Sequence, residues 1–148
     1  MSLIAAILLG LAAGLVGTVV MTISETLESR VTAREPSTVP GQVGSKLLGR
    51  PLDGNSPKQL NGVVHWSHGI VMGAIRGLLG LAGLGALAAT VLHFLIVWSG
   101  DVVLYRSLGI APMPWRWTGQ ELATDLFHKG IYALATGVTF ELLRSALA

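Results

Sequence analysis

The stretch that decides the fold is Leu3–Ser24, which reads LIAAILLGLAAGLVGTVVMTIS and contains no charged side chain. A run of about 20 apolar residues is long enough to cross the hydrocarbon core of a bilayer as a helix. A second stretch, Gly77–Gly100, carries only one ionisable residue, His93. Small residues recur at every fourth position, which lets helix backbones approach closely; in the first helix these are Ala6, Gly10 and Gly14, and later Gly69, Gly73 and Gly77. These patterns predict an all-α, membrane-embedded helical protein.

Composition agrees with this prediction. The 148 residues are 51% hydrophobic and 12% charged, with a mean hydropathy of +0.64, whereas soluble domains carry about 25% charge. A net charge of +2 without a basic stripe excludes a nucleic-acid footprint. There is no cysteine, so disulfides and thiolate chemistry are excluded. Because the first basic residue is Arg30, the positive region of a signal peptide is missing, which favours a retained helix.

The pattern of apolar and polar stretches predicts one transmembrane domain folded as a four-helix bundle. The expected spans are about 3–29, 58–78, 85–106 and 119–146. The expected polar connections are 30–57 and 107–118. Ser56 and Thr118 each open a sequence typical of a capping box, with Gln59 or Glu121 three residues later. Within the first connection Val39, Val43 and Leu47 predict one face of a short interfacial helix that ends at Gly49.

Charge distribution predicts the orientation. Most basic residues fall in or beside the two long connections, and only Arg76 and Arg144 lie towards the opposite face. The positive-inside rule then places the connections in the cytoplasm and both termini outside the plasma (inner) membrane.

The two halves also resemble each other, which predicts two parallel two-helix repeats as one form of this bundle. Each half has an acid late in its first span (Glu25, Asp101), then an arginine, a proline-containing loop and a capping-box sequence. Each then reaches a histidine, His68 or His128, followed by Gly-Ile. The alternative is that two membrane hairpins of this composition look alike without a duplication.

Ionisable residues in these spans are the candidate functional site, because a charge at mid-bilayer costs roughly 2.5–3.5 kcal/mol even on gentle scales. At 1.5 Å rise per residue, His68, His93 and His128 fall in one band near mid-membrane. The candidate binding or proton-relay residues are Thr22, Glu25, His68, His93, Asp101, Asp125 and His128. On the last helix Glu121, Asp125, His128 and Tyr132 share a face.

Several functions fit this band. The first is a small carrier that binds or passes a solute, ion or proton, with Glu25 and the three histidines as relay and Asp101 and Asp125 as mouths. The second is ligation of haem b or a divalent metal by His68, His93 and His128. The third is a non-catalytic accessory subunit that docks through its glycine faces. The structural alternative is a set of hydrogen bonds that fix helix register. No conventional enzyme motif is present. The partners expected are the lipid bilayer and a homo-oligomer or larger membrane complex.

The segments Gly14–Thr22, Glu25 and Arg34–Pro40, with His68-Gly69 later, resemble a class of uncharacterised small bacterial four-helix integral membrane proteins. The resemblance covers about the first 45 residues and the region of His68. It implies a small polytopic membrane protein of bacterial type and carries no activity.

Overall fold

The computed structural model describes residues 1–147, and this part of the chain is all-α, with no strand. Four long helices and one short helix follow in order: α1 (Leu3–Thr32), α2 (Val39–Leu47), α3 (Ser56–Leu81), α4 (Ala86–Ser107) and α5 (Gly119–Ala146). A single 3₁₀ turn, Pro114–Arg116, lies between α4 and α5. The ends of the long helices differ from the predicted spans by at most three residues.

The long helices pack as an antiparallel bundle in which α1 and α4 each contact both α3 and α5. We call the end with residues 33–55 and 108–118 the loop end, and the end with Met1, residues 82–85 and Leu147 the terminal end. Among the described residues, only α1 and α4 contain a stretch of 18 residues apolar enough to cross a membrane. The length of α3 and α5 is sufficient, but neither contains such a stretch, so four spans are not confirmed.

A close contact of two helix backbones joins α1 to α3 through their glycines. A Cβ atom built on Gly14 would lie 2.8 Å from the Cα of Gly73, and one built on Gly73 would lie 2.6 Å from the Cα of Gly14. Gly77 meets the backbone of Ala6 in the same way. The two predicted glycine faces therefore pack against each other inside the chain. They are not available for docking onto a larger complex, which removes the observation that motivated the accessory-subunit hypothesis.

The short helix α2 lies against the first turns of α3. Its contact face is formed by Gly41, Val43, Gly44 and Ser45, which are buried, whereas Leu47 is exposed. Of the predicted Val39/Val43/Leu47 face, Val43 is buried, Val39 is half-buried and Leu47 is exposed. The closest approach of α2 to α3 is at Gly41, where the backbone comes so close to Pro57 that only glycine fits. The predicted end of α2 is right: Gly49 follows it with φ +63°.

Of the two predicted capping boxes, only one forms. Thr118 accepts a hydrogen bond from the N–H of Glu121, and the Glu121 carboxylate accepts one from the N–H of Thr118. Ser56 is instead already helical, and its hydroxyl oxygen accepts a hydrogen bond from Ser45 on α2. The tertiary contact uses the hydroxyl group that a local cap would need.

Side-chain burial in the bundle is reversed relative to a water-soluble protein. The outward faces of all four long helices carry large apolar side chains, among them Ile4, Val71, Leu95 and Leu142. The interior contains small residues and many polar ones: Thr18, Arg76, His93, Asp101, His128 and Thr136 are all buried. Soluble domains bury their large apolar side chains and rarely bury charges.

Candidate functional site

Five side chains from α3, α4 and α5 form what we call the central cluster: His68, Trp98, Asp101, Asp125 and Lys129. The Lys129 Nζ lies 3.0 Å from an oxygen of Asp101 and 3.0 Å from an oxygen of Asp125. His68 Nε2 lies 2.9 Å from the other oxygen of Asp101, although the angle does not make this contact a hydrogen bond. The Trp98 indole donates a hydrogen bond of 2.9 Å to Asp125.

Helical spacing and helix packing both build this cluster. Asp125 and Lys129 are four residues apart and lie on one face of α5. Asp101 follows Trp98 by three residues on α4, so both face α5. The ammonium group of Lys129 also lies 5.2 Å from the centre of the Tyr105 ring, within cation–π range. Lys129 therefore holds two carboxylates from different helices in a largely desolvated position.

A second group, the rim cluster, lies between α1, α3 and α5 towards the loop end and consists of Thr22, Ser24, Glu25, Glu28, Arg34, His65 and His128. Thr22 donates its own hydrogen bond to the carbonyl of Thr18, so the 2.9 Å contact with His65 is donated by the His65 Nε2–H. Glu25 lies 4.0 Å from the same nitrogen.

His128 completes the rim cluster from α5. Its Nδ1 lies 3.1 Å from the Ser24 hydroxyl, and its Nε2 lies 3.5 Å from the Glu28 carboxylate. Arg34, beyond the end of α1, donates a 2.6 Å hydrogen bond to Glu28. The hydrogen bond with this carboxylate raises the pKa of Arg34 above its ordinary value. Arg34 and Glu28 therefore form an ion pair at the loop end of the rim cluster.

One helical turn deeper, the polar interior continues with His93, Tyr132 and Thr136. The Tyr132 hydroxyl donates a 2.6 Å hydrogen bond to the carbonyl of Gly69. His93 is fully buried, its ring centre lies 5.6 Å from that of Tyr132, and its Nε2–H donates to the carbonyl of Met72 at 3.1 Å. In this tautomer the Nδ1 of His93 is an acceptor, and it has no hydrogen-bond partner among residues 1–147.

The terminal end holds a third group, Arg76, Glu141 and Arg144. Arg76 is fully buried and donates a 2.5 Å hydrogen bond to Glu141, which also accepts one of 2.6 Å from Arg144. The Arg76 guanidinium lies 4.6 Å from the centre of the Phe140 ring. The sequence analysis uses both arginines only as charges near this face and does not predict the group. The similar depths of Glu141 in α5 and Arg76 in α3 could have indicated it.

The predicted candidate residues all lie in or near this polar interior, but not at one centre. Asp101, His68 and Asp125 meet in the central cluster, while Thr22, Glu25 and His128 lie in the rim cluster. His93 lies deeper in the bundle and belongs to neither cluster. Asp101 is 4% exposed and is therefore not a mouth of the bundle as predicted, because Lys129 and His68 cover it. Glu121, predicted to share a face of the last helix with Asp125, His128 and Tyr132, is exposed and caps α5.

The three histidines predicted as metal or haem ligands bind different partners: His68 contacts Asp101, His128 contacts Ser24 and His93 contacts a backbone carbonyl. Across residues 1–147 no three histidine, cysteine or acidic side chains converge as metal ligands would. The arrangement therefore does not favour metal or haem binding, which stays a prediction of the sequence.

Comparison with known proteins identified no relative: no family model, curated protein or solved structure matches the chain. The resemblance to small bacterial membrane proteins thus remains an interpretation of the sequence.

Proposed function

We propose that this chain is a small integral membrane protein that passes protons through the polar interior of its helix bundle. The observation that carries the proposal is a series of polar side chains inside a bundle whose outside is apolar. The series begins with the rim and central clusters, continues through Tyr132 and His93, and ends at Arg76 and Glu141.

Embedding in a bilayer explains why the burial pattern is reversed. In hydrocarbon, outward apolar side chains meet a solvent they match, and helices associate through close packing of small residues and through polar contacts. The contacts between the glycines of α1 and α3 are of this kind. On the same reasoning, the basic loop end lies in the cytoplasm, and both termini lie on the outer face of the inner membrane.

The chemistry of the interior favours protons over larger solutes. Histidine imidazoles and carboxylates can accept and release protons in place, and ionisable side chains inside membranes commonly mark such relays. His93 supports this role because it already donates from Nε2, while its buried Nδ1 has a lone pair with no partner among the described residues. The surface has depressions of about 170 and 580 Å³. The larger depression, which has room for a solute, is not lined by any of the predicted site residues.

The proposal is tested by proton flux into liposomes that contain the purified protein and a trapped pH-sensitive dye. Asp101→Asn keeps the shape of the side chain but removes the carboxylate that joins His68 to Lys129, so we expect most of the flux to be lost. Asp53→Asn is the matched control, because Asp53 is exposed in the connection before α3. Equal flux for both variants, or wild-type flux no higher than that of protein-free liposomes, would contradict the proposal. If Asp101→Asn lowers stability alone, the clusters serve helix register.

The same flux measurement also tests the oligomeric state. A chain of this size encloses little space, so we propose that the protein acts as a homo-oligomer or as part of a larger membrane complex. Flux that rises more steeply than linearly with the protein-to-lipid ratio would support assembly of several copies. A strictly linear rise at low ratios would support a single chain as the conducting unit.

A further inference from the structure

We infer that the terminal end of the bundle binds a small amphiphilic carboxylate, with its head on Arg144, near the buried Arg76, and its tail in an adjoining groove. This site includes Arg76 and Glu141, which end the polar series described above, but carboxylate binding there does not depend on proton flux. It is argued from the charge balance around Arg76 and from the shape of the surface next to it.

Arg76 is an unusual residue to find fully buried. Its Nη2 is bonded to Glu141, but its Nε and Nη1 have no hydrogen-bond partner within residues 1–147. Buried polar groups are nearly always hydrogen-bonded, and an unsatisfied buried donor costs about 1–3 kcal/mol, more for a charged group. Arg76 therefore has the capacity to donate to a further acceptor.

The local charges do not balance. Arg76 and Arg144 both bind the single carboxylate of Glu141, so the three side chains together carry one positive charge. That excess of the three side chains disfavours a cation and favours an anion. Guanidinium groups bind carboxylates well because their planar donors match the two oxygens.

An open groove of about 580 Å³ lies beside these charges, lined by Met1, Ala5, Leu9, Gly80, Leu81, Arg144 and Leu147. Its volume is in the range of small-molecule sites, about 300–1,000 Å³. The Phe140 ring and the Arg76 guanidinium lie behind Gly80: a Cβ atom built there would lie 2.5 Å from the Phe140 ring and 3.4 Å from the Arg76 Nη1.

The lining of this groove selects the class of ligand. Apart from Arg144, its side chains are apolar or absent, so an alkyl chain gains contact there and a bare inorganic anion does not. Arg144 supplies the direct contact with the carboxylate head, and the buried charge of Arg76 behind Gly80 adds attraction. A short-chain carboxylate satisfies the charge, the apolar lining and the volume together.

The test is calorimetric titration of the full chain in a non-ionic detergent with hexanoate, with hexanamide as the uncharged counterpart. We expect saturable binding of hexanoate and at least tenfold weaker binding of hexanamide, since 1.4 kcal/mol corresponds to about tenfold. Arg144→Gln should weaken hexanoate binding by about as much, whereas Arg116→Gln, an exposed arginine at the loop end, should leave it unchanged. Glu141→Gln should tighten it, because a competing carboxylate is removed.

Several results would overturn the inference. These are equal affinity for hexanoate and hexanamide, no difference between Arg144→Gln and Arg116→Gln, or weaker binding in Glu141→Gln. Binding of a phosphate-headed lipid such as phosphatidate without any binding of hexanoate would also reject the carboxylate. Arg76→Met probes the buried charge, and Arg144→Gln keeps the test decisive if Arg76→Met does not fold. Because binding is measured in detergent without a proton gradient, its failure is distinguishable from failure of the proposed proton flux.

Discussion

Gly73→Ala should disrupt the packing of α1 against α3. A methyl group of the same size added on an exposed helix face should not. The added Cβ would lie 2.6 Å from the Cα of Gly14 and nearer still to the carbonyl oxygen of Gly10. That is about 1 Å short of the ~3.5–4.0 Å at which carbon atoms pack well. Both obstructing atoms belong to backbone, so neither can rotate away and the helices have to separate.

The magnitude follows from two opposing effects. Overpacking of a close-packed contact costs about 1–3 kcal/mol, and an added methyl group in an exposed helix position gains up to about 1 kcal/mol over glycine. Gly62 is the matched control, because it is exposed on the same helix and a Cβ there meets nothing within 4 Å. The gain applies at both helical positions and cancels, so Gly73→Ala and Gly62→Ala should differ by about 1–3 kcal/mol in unfolding free energy.

The assay is denaturant unfolding in detergent micelles, followed by far-UV circular dichroism. The expected order of stability is Gly62→Ala, wild type, Gly73→Ala. If both variants unfold at the same denaturant concentration, α1 and α3 do not pack through these glycines, and the bundle described here is incorrect.

Two further predictions concern buried polar groups. Lys129→Met should destabilise the fold by about 3–5 kcal/mol, because Asp101 then stays buried without its cation. The double variant Lys129→Met/Asp101→Asn should recover part of this loss in the same unfolding assay. No recovery would show that the two side chains do not interact. Tyr132→Phe should cost about 0.5–1.5 kcal/mol through loss of the hydrogen bond to the Gly69 carbonyl, and an unfolding midpoint identical to that of the wild type would argue against that bond.

The sequence predicts the helices well because their signals are local. Long apolar stretches, the Thr118–Glu121 cap and Gly49 after α2 depend on neighbouring residues, and the structure has all three. The cap predicted at Ser56 is wrong because the Ser56 hydroxyl oxygen accepts a hydrogen bond from Ser45, 11 residues away. The glycine faces were recognised from their spacing, but that they pack against each other is a property of the folded chain.

The site is predictable only in part, for the same reason. Histidines and acids in apolar stretches identify the polar interior, and the four-residue spacing predicts the Asp125–Lys129 pair. The contact of Lys129 with Asp101 depends on the rotation of α4 against α5, which no local pattern encodes. Glu141 and Arg76 are 65 residues apart, and only the fold brings them together.

The proposed location in a membrane requires hydrocarbon around the apolar outside of the bundle. Because the chain has no cysteine, single cysteines can be introduced and spin-labelled without a background. Collision rates with oxygen and with a water-soluble nickel complex then report lipid or water around each label in liposomes. Labels at Leu95 and Val138, outward-facing positions on α4 and α5, should meet oxygen and exclude nickel, whereas a label at Asp53 should meet nickel. Nickel access at Leu95 and Val138 equal to that at Asp53 would contradict the account.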